Sequence, residues 1–351
     1  MYKIKHILFF FYIMKLYIHI ANINQLKPIW DNLFNLKDYE KIKNRLKIIE
    51  YKNKQVSFQY KTYFQSISIL NNKKYFGDKI QSNVYWFYFW NDTCEHLIPT
   101  LREYIDFEKY IKELNTWEKS ARKKTIAFVT PSVWDYWIKR LKQIFNYLYQ
   151  KKYKTEIIVN DLWVLHLINK EYSEKLIPVL WRMLNKAQRN PIIDKNPDPQ
   201  VPNFLGKDVY EKIKKLQYAY YDNNPLSLKN YKNSFIKHWI KRFWVDNITI
   251  EGNQKIKENL DIYYPYNSIA HWRNCATRWI QEKTWEYYVQ DIPCARYCQK
   301  YDVFLWQWTH ERWITQRGNG IWKKYMELDK INKEILDKDE NRLIFSPFIP
   351  V

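Results

Sequence analysis

Cys275, Cys294 and Cys298 fall in one stretch, CATRWIQEKTWEYYVQDIPCARYC, and the remaining cysteine of the four, Cys94, closes the run YWFYFWNDTC far upstream. Thiolates are metal ligands, and four of them satisfy either an iron–sulfur cluster or a structural zinc ion. Spacing alone leaves both open, together with unligated cysteines packed in a core. Four cysteines in 351 residues do not make a disulfide scaffold, so a reducing compartment is expected. Arg273, Arg278 and Arg296 flank the thiols and would offset the negative charge of a thiolate site.

Other residues of chemical interest close short apolar runs. His96 follows Cys94 in CEHLIP; Asp161, Arg182 and Asp246 each end a predicted strand; Tyr266 and His271 precede Cys275 as pocket lining. Each has a plainer reading. A lone histidine serves as a hydrogen-bond donor as readily as an acid or base. Thr130, Asn160 and Asp161 are residue types that cap helices, and buried Asp–Arg pairs also serve structure. No H-E-x-x-H or G-x-S-x-G motif is present, and a four-thiol site leaves no cysteine for a Cys–His pair.

The elements that must position these residues are strands alternating with helices. Val84–Trp90, Thr125–Val129, Glu156–Val159 and Leu176–Leu180 each end in polar residues and lead into helix-like segments. That alternation predicts an α/β fold with a parallel sheet, and the number of units predicts a (β/α) TIM-type barrel, complete or not, with a cysteine-bearing C-terminal part. Its chemistry belongs at the carboxyl ends of the strands. Residues 1–80 read as a strand and helix segment that starts the barrel, 81–330 as the barrel proper with a long loop at about 190–225, and 331–351 as a tail. Beyond Cys298, YDVFLWQW reads as a strand, THERWITQRGNG as a turn-rich loop and KKYMELDKINKEIL as a closing helix.

A net charge of +21 suits a polyanionic partner such as RNA. The abundance of Lys, Asn, Ile, Tyr and Phe is equally what AT-rich coding yields, and acidic residues interrupt the lysines. The apolar run Ile7–Met14 is too short to span a bilayer and no cleavage pattern follows it. No integral membrane span is expected; the location expected is cytoplasmic, with the mitochondrial matrix as the alternative. Composition holds one further oddity, Gly 5 against Trp 17, where average usage would give roughly 25 glycines. Several tryptophans stand beside turn residues, as in PSVWDYW, VNDLWVL and QRGNGIW. UGA codons meant as glycine and translated as tryptophan would explain this; an organelle genome truly rich in tryptophan is the alternative.

Taken in order, the Cys94 strand, IAFVTPSV, IIVNDLWVLHLI, LIPVLWRMLNKAQRNP, FWVDNI, YYPYNSIAHWRNCATR and PCARYC resemble the collagenase-like peptidase family U-32 over roughly residues 84–325. The resemblance is to its non-proteolytic iron–sulfur branch, which includes accessory proteins of oxygen-independent ubiquinone hydroxylation and RNA hydroxylation proteins. That branch is similar in having an early cysteine, a late one and a final C-x3-C pair. The resemblance implies a [4Fe–4S] cluster on Cys94, Cys275, Cys294 and Cys298, with zinc as the alternative. It implies an iron–sulfur-dependent hydroxylase acting on a small molecule or RNA, with a U-32 partner subunit. Family members carry glycine where this chain has Trp163, and often where it has Trp181. Two other functions stay in view: a peptidase or peptide-binding protein, and a basic scaffold subunit of a mitochondrial ribosome or respiratory complex.

Overall fold

The computed structural model describes residues 15–21, 84–117, 125–182, 184–185, 206–221, 224–246, 256–271, 275, 277–278, 294–299, 303–305, 314–317, 319–324, 338 and 340–347. The order along the chain is β1 (Lys15–Ile20), β2 (Val84–Phe89), α1 (Leu101–Trp117), β3 (Thr125–Val129), α2 (Asp135–Tyr149), β4 (Thr155–Val159), α3 (Leu162–Leu167) and β5 (Leu176–Leu180). There follow α4 (Lys207–Tyr221), α5 (Lys229–Ile236), β6 (Arg242–Asp246), β7 (Asn259–Tyr264), β8 (Tyr266–His271), β9 (Val303–Leu305), β10 (Ile314–Arg317), β11 (Gly320–Lys324) and β12 (Arg342–Phe345). Strands β1 to β7 and β12 close a barrel in the circular order β1-β2-β3-β4-β5-β6-β7-β12, every adjacent pair parallel. The expected (β/α) TIM-type barrel is therefore present and closed.

A period-two alternation sorts the strand residues into two layers. Leu16, Ile18 and Ile20 of β1, Phe87 and Phe89 of β2 and Phe243 and Val245 of β6 join the shell that packs on the helices. Tyr17, Tyr88, Ala127, Val129, Ile158, Val179, Trp244, Tyr263 and Ile344 fill the barrel interior. Helix α2 presents Trp137, Leu141, Ile144, Phe145 and Leu148 at helical spacing to the shell. Helix α1 starts with a capping box: the Thr100 N–H donates to Glu103 Oε2 at 2.7 Å, and the Glu103 N–H donates to Thr100 Oγ1 at 3.2 Å.

Charged residues fill the amino-terminal half of the interior. Arg342 donates to Glu156 through both terminal nitrogens, at 2.6 and 2.9 Å, and to the Tyr88 hydroxyl at 2.9 Å. Asp261 accepts from Tyr88 at 2.9 Å, Trp244 Nε1 at 2.7 Å and Arg242 at 2.9 Å. This network leaves the carboxyl-terminal mouth as the end where chemistry can be built.

An antiparallel sheet, in the order β8-β11-β10-β9, is inserted between the barrel strands β7 and β12. Cys275, Cys294 and Cys298 lie in the segment joining β8 to β9. Three details depart from sequence expectation. The stretch 331–351, read as a tail, supplies β12, the strand that closes the barrel. The loop at 190–225 contains α4, and the turn-rich THERWITQRGNG contains β10 and runs into β11. Of the expected closing helix, Lys323 and Lys324 belong to β11 and residues 325–336 lie outside the described residues, as do the run Ile7–Met14, Arg273 and three further tryptophans open to the same glycine reading, Trp272, Trp279 and Trp285.

Candidate functional site at the barrel mouth

The chain leaves β2 through a turn that is buried along its length, Trp90 to Cys94. Asn91 shapes it: its Oδ1 accepts the backbone N–H groups of Thr93 at 2.8 Å and Cys94 at 2.6 Å. His19 of β1 holds the start of the turn, with Nε2 2.7 Å from the Trp90 carbonyl. A carbonyl oxygen only accepts, so Nε2 carries the proton and Nδ1 accepts the Tyr263 hydroxyl at 2.5 Å. Burial pushes the His19 imidazole down to about 3, and nearby Arg182 adds to the effect, so the ring is neutral. Asn319, in the β10–β11 turn, donates to the Thr93 carbonyl at 2.7 Å and ties the small sheet to the same loop.

Arg182 follows β5 and is fully buried. Its Nη1 donates to Asp246 Oδ1 at 2.9 Å and to the Tyr266 carbonyl at 2.8 Å; Nη2 lies 3.5 Å from Asp92 Oδ2. The guanidinium carbon stands 3.9 Å from the Tyr263 ring centre and 5.0 Å from those of Trp181 and Trp322. Burial raises the Asp92 carboxyl to about 7 against the opposing pull of Arg182. Asn160 donates to the Asp92 carbonyl at 2.8 Å. Asp92 Oδ1, Asn160 Oδ1 and Asn319 Oδ1 are buried acceptors with no hydrogen-bond partner among the described residues. Unmet buried acceptors of this kind mark places where a ligand or water donates.

None of the four cysteines is in a disulfide; Cys94 and Cys298 are buried, Cys275 and Cys294 half-buried. Cys94 and Cys298 belong to the same apolar cluster as Trp181, Tyr266 and Trp322. Burial raises the Cys94 thiol well above its usual range, and Cys298, Cys275 and Cys294 each raise it further. Cys275 is pushed up to about 11, chiefly by burial, with Cys294 adding to it and backbone N–H groups of Arg278 and Thr277 opposing. The N–H groups of Arg278 and Arg296 donate to Cys275 Sγ at 3.3 Å and Cys294 Sγ at 3.4 Å. The N–H of His96 favours the Cys94 thiolate in the same way. Among the described residues no three His, Cys, Asp or Glu side chains are grouped as a single bound metal ion would hold them. Arg296 also reaches Glu103 Oε1 at 3.2 Å, so the carboxylate of the α1 capping box anchors the cysteine segment.

The remaining candidates are placed as follows. Asp246 and Arg182 meet; Asp161 instead caps α3, its Oδ1 accepting the Trp163 N–H at 2.8 Å and its Oδ2 the Val133 N–H at 3.1 Å. His96 packs edge-on against Trp137, and burial and Arg278 lower its basicity. Thr130 donates its hydroxyl to the Ile158 carbonyl at 3.0 Å, bridging neighbouring strand ends. His271 lies on β8 opposite Gly320 in the small sheet. Asp92, His19, Tyr263 and Glu103 escaped sequence reasoning. The alternation of KLYIHI puts Tyr17 and His19 on one face, which is the signal that would have found His19.

Compared with known proteins, the chain matches no family model, no curated protein and no solved structure. No helix among the described residues is long and apolar enough to cross a membrane.

Proposed function

We propose that the chain is a U-32-type iron–sulfur protein in which Cys94, Cys275, Cys294 and Cys298 hold a [4Fe–4S] cluster at the barrel mouth. What supports this reading is that Cys94, just past a strand end, and Cys298, in a distant inserted segment, share one buried apolar cluster at the mouth of a parallel barrel, with Cys275 and Cys294 carried by the same inserted segment. The donor set fits the group. None of the four cysteines is in a disulfide, and backbone N–H groups of His96, Thr277, Arg278 and Arg296 face sulfur, as suits thiolates carrying charge.

When bound, such a cluster supplies electron transfer to substrate chemistry beside it. The chain's own contribution is orientation. Arg182, fixed by Asp246, Asp92 and the Tyr266 carbonyl, and the unmet acceptors of Asp92 and Asn160 form a polar wall next to Cys94. This wall suits a polar substrate, and oxygen-independent hydroxylation of an RNA base or a quinone precursor is the reaction we assign to it, in the cytoplasm, with an organic oxygen donor, reduced in the reaction, supplying the oxygen atom. Cys94→Ala would remove one ligand without disturbing Arg182.

Anaerobic purification tests the reading. Visible charge-transfer absorption with iron and acid-labile sulfide in equal amounts, lost in Cys94→Ala, is the expected result. Zinc alone, or no metal on a folded chain, would overturn it. Degradation of unstructured peptides by the pure protein, abolished by Arg182→Met, would favour the peptidase reading instead.

A further inference from the structure

Among the described residues three that are not glycine have positive φ: Trp90 at 120°, Trp239 at 65° and Arg296 at 56°. Two of the three are tryptophan, a residue whose bulk makes that half of backbone space costly. The setting of Trp239 is specific. After α5, the Trp239 N–H donates to the Ile236 carbonyl at 3.0 Å and the Ile240 N–H to the Phe235 carbonyl at 3.4 Å. These are the paired closing bonds of a Schellman motif, with Ile240 buried beside Phe235 as its apolar contact. The residue between, in the left-handed region, is the position where glycine ends helices, and here it is a tryptophan left 69% exposed.

Other tryptophans stand where glycine is at home. Trp134 is the N-cap of α2, a station glycine fills well; its side chain makes no capping hydrogen bond. Trp181 and Trp322 are fully buried at the barrel mouth, yet neither indole N–H has a partner among the described residues, and the same holds for Trp90. Buried indoles normally find one, as Trp244 does on Asp261 at 2.7 Å. Trp322 is also wedged so tightly on Gly320 that a Cβ there would lie 2.8 Å from its Nε1. The chain holds only 5 glycines beside its 17 tryptophans.

We propose that the natural polypeptide has glycine at positions 90, 134, 181, 239 and 322, their codons being read as glycine, and that glycine at 181 and 322 opens a ligand pocket over Arg182. Glycine at 239 completes the Schellman end of α5, and glycine at 90 gives the turn into Cys94 the backbone freedom its φ requires. At the mouth, removal of two indoles uncovers one face of the guanidinium. The pocket so formed is walled by the buried acceptors Asp92 Oδ1 and Asn160 Oδ1, which suit a small polar molecule carrying N–H or O–H donors.

Peptide mass spectrometry of the protein from its own cells decides the residues: glycine at 90, 239 and 322 is expected, and a peptide carrying tryptophan at 239 overturns the proposal. Recombinant chains test the consequences independently of any metal. Trp239→Gly raises the melting midpoint by about 2 °C; a lower midpoint refutes the helix-end argument. Phenylglyoxal, an arginine reagent, modifies Arg182 in the folded chain carrying all five substitutions and leaves it untouched in the chain as written. Equal protection of Arg182 in both chains refutes the pocket.

Discussion

Acid is predicted to unfold the barrel through His19. Protonating it requires Nδ1 to give up the Tyr263 hydroxyl, and places a cation in a closed interior close to the Arg182 guanidinium. The sign follows from the direction of the shift. With the folded imidazole lowered from 6.5 to about 3, the unfolded chain takes up the proton first. The stability due to the neutral ring is complete above pH 6.5 and is lost as pH falls toward 3. A gap of about 3.5 units is worth about 5 kcal/mol over the whole window, or about 1.4 kcal/mol per pH unit inside it. Asp92 works in the opposite sense. Its carboxyl, raised from 3.8 to about 7, is protonated in the fold before it is in the unfolded chain, so its share of stability falls as pH rises through that range. The raw pH profile therefore mixes the two. Denaturant melts of the native chain and of His19→Gln separate them, because Asp92 is common to both. The difference between the two stabilities should grow in favour of the native chain by roughly 3 kcal/mol between pH 4 and 6. A difference that stays constant with pH would refute the placement of a neutral His19 in the interior.

Further expectations concern the mouth and its supports. Arg182→Met leaves Asp246 buried without its cation and should cost about 3–5 kcal/mol in a denaturant melt, part of it recovered in the double variant with Asp246→Asn. Asp161→Ala removes both the α3 cap and the acceptor for Val133, and a loss of about 1–2 kcal/mol is expected, with Asp161→Asn losing much less. Glu103→Gln keeps a side chain able to complete the capping box while weakening the hold on Arg296. Its global stability should change by less than about 1 kcal/mol, while Cys294 of the metal-free chain should react faster with a thiol reagent.

The barrel was legible because its code is local. Apolar runs of strand length ending in polar residues, each followed by helical periodicity, leave few arrangements other than a parallel sheet wrapped by helices. The alternation in KLYIHI and the strand-end positions of Arg182 and Asp246 were readable in the same way, as was the grouping of three cysteines. What escaped was non-local. Residues Arg342–Phe345 look like any short strand near a terminus, and only pairing with both β1 and β7 makes them the closing strand. The role of Asp161 turned on a donor from another loop, Val133.

The sequence by itself determined the kind of fold, the residue types available for a metal site and the glycine deficit, since periodicity, thiol count and composition are properties of the string. Only the tertiary structure decided that Cys94 joins the distant Cys298 in one buried apolar cluster, that Arg182 is held between Asp246 and Asp92, and that Trp90 and Trp239 occupy backbone conformations made for glycine. Electrostatic influence, burial and φ depend on neighbours brought together by closure of the barrel, and no spacing along the chain encodes them.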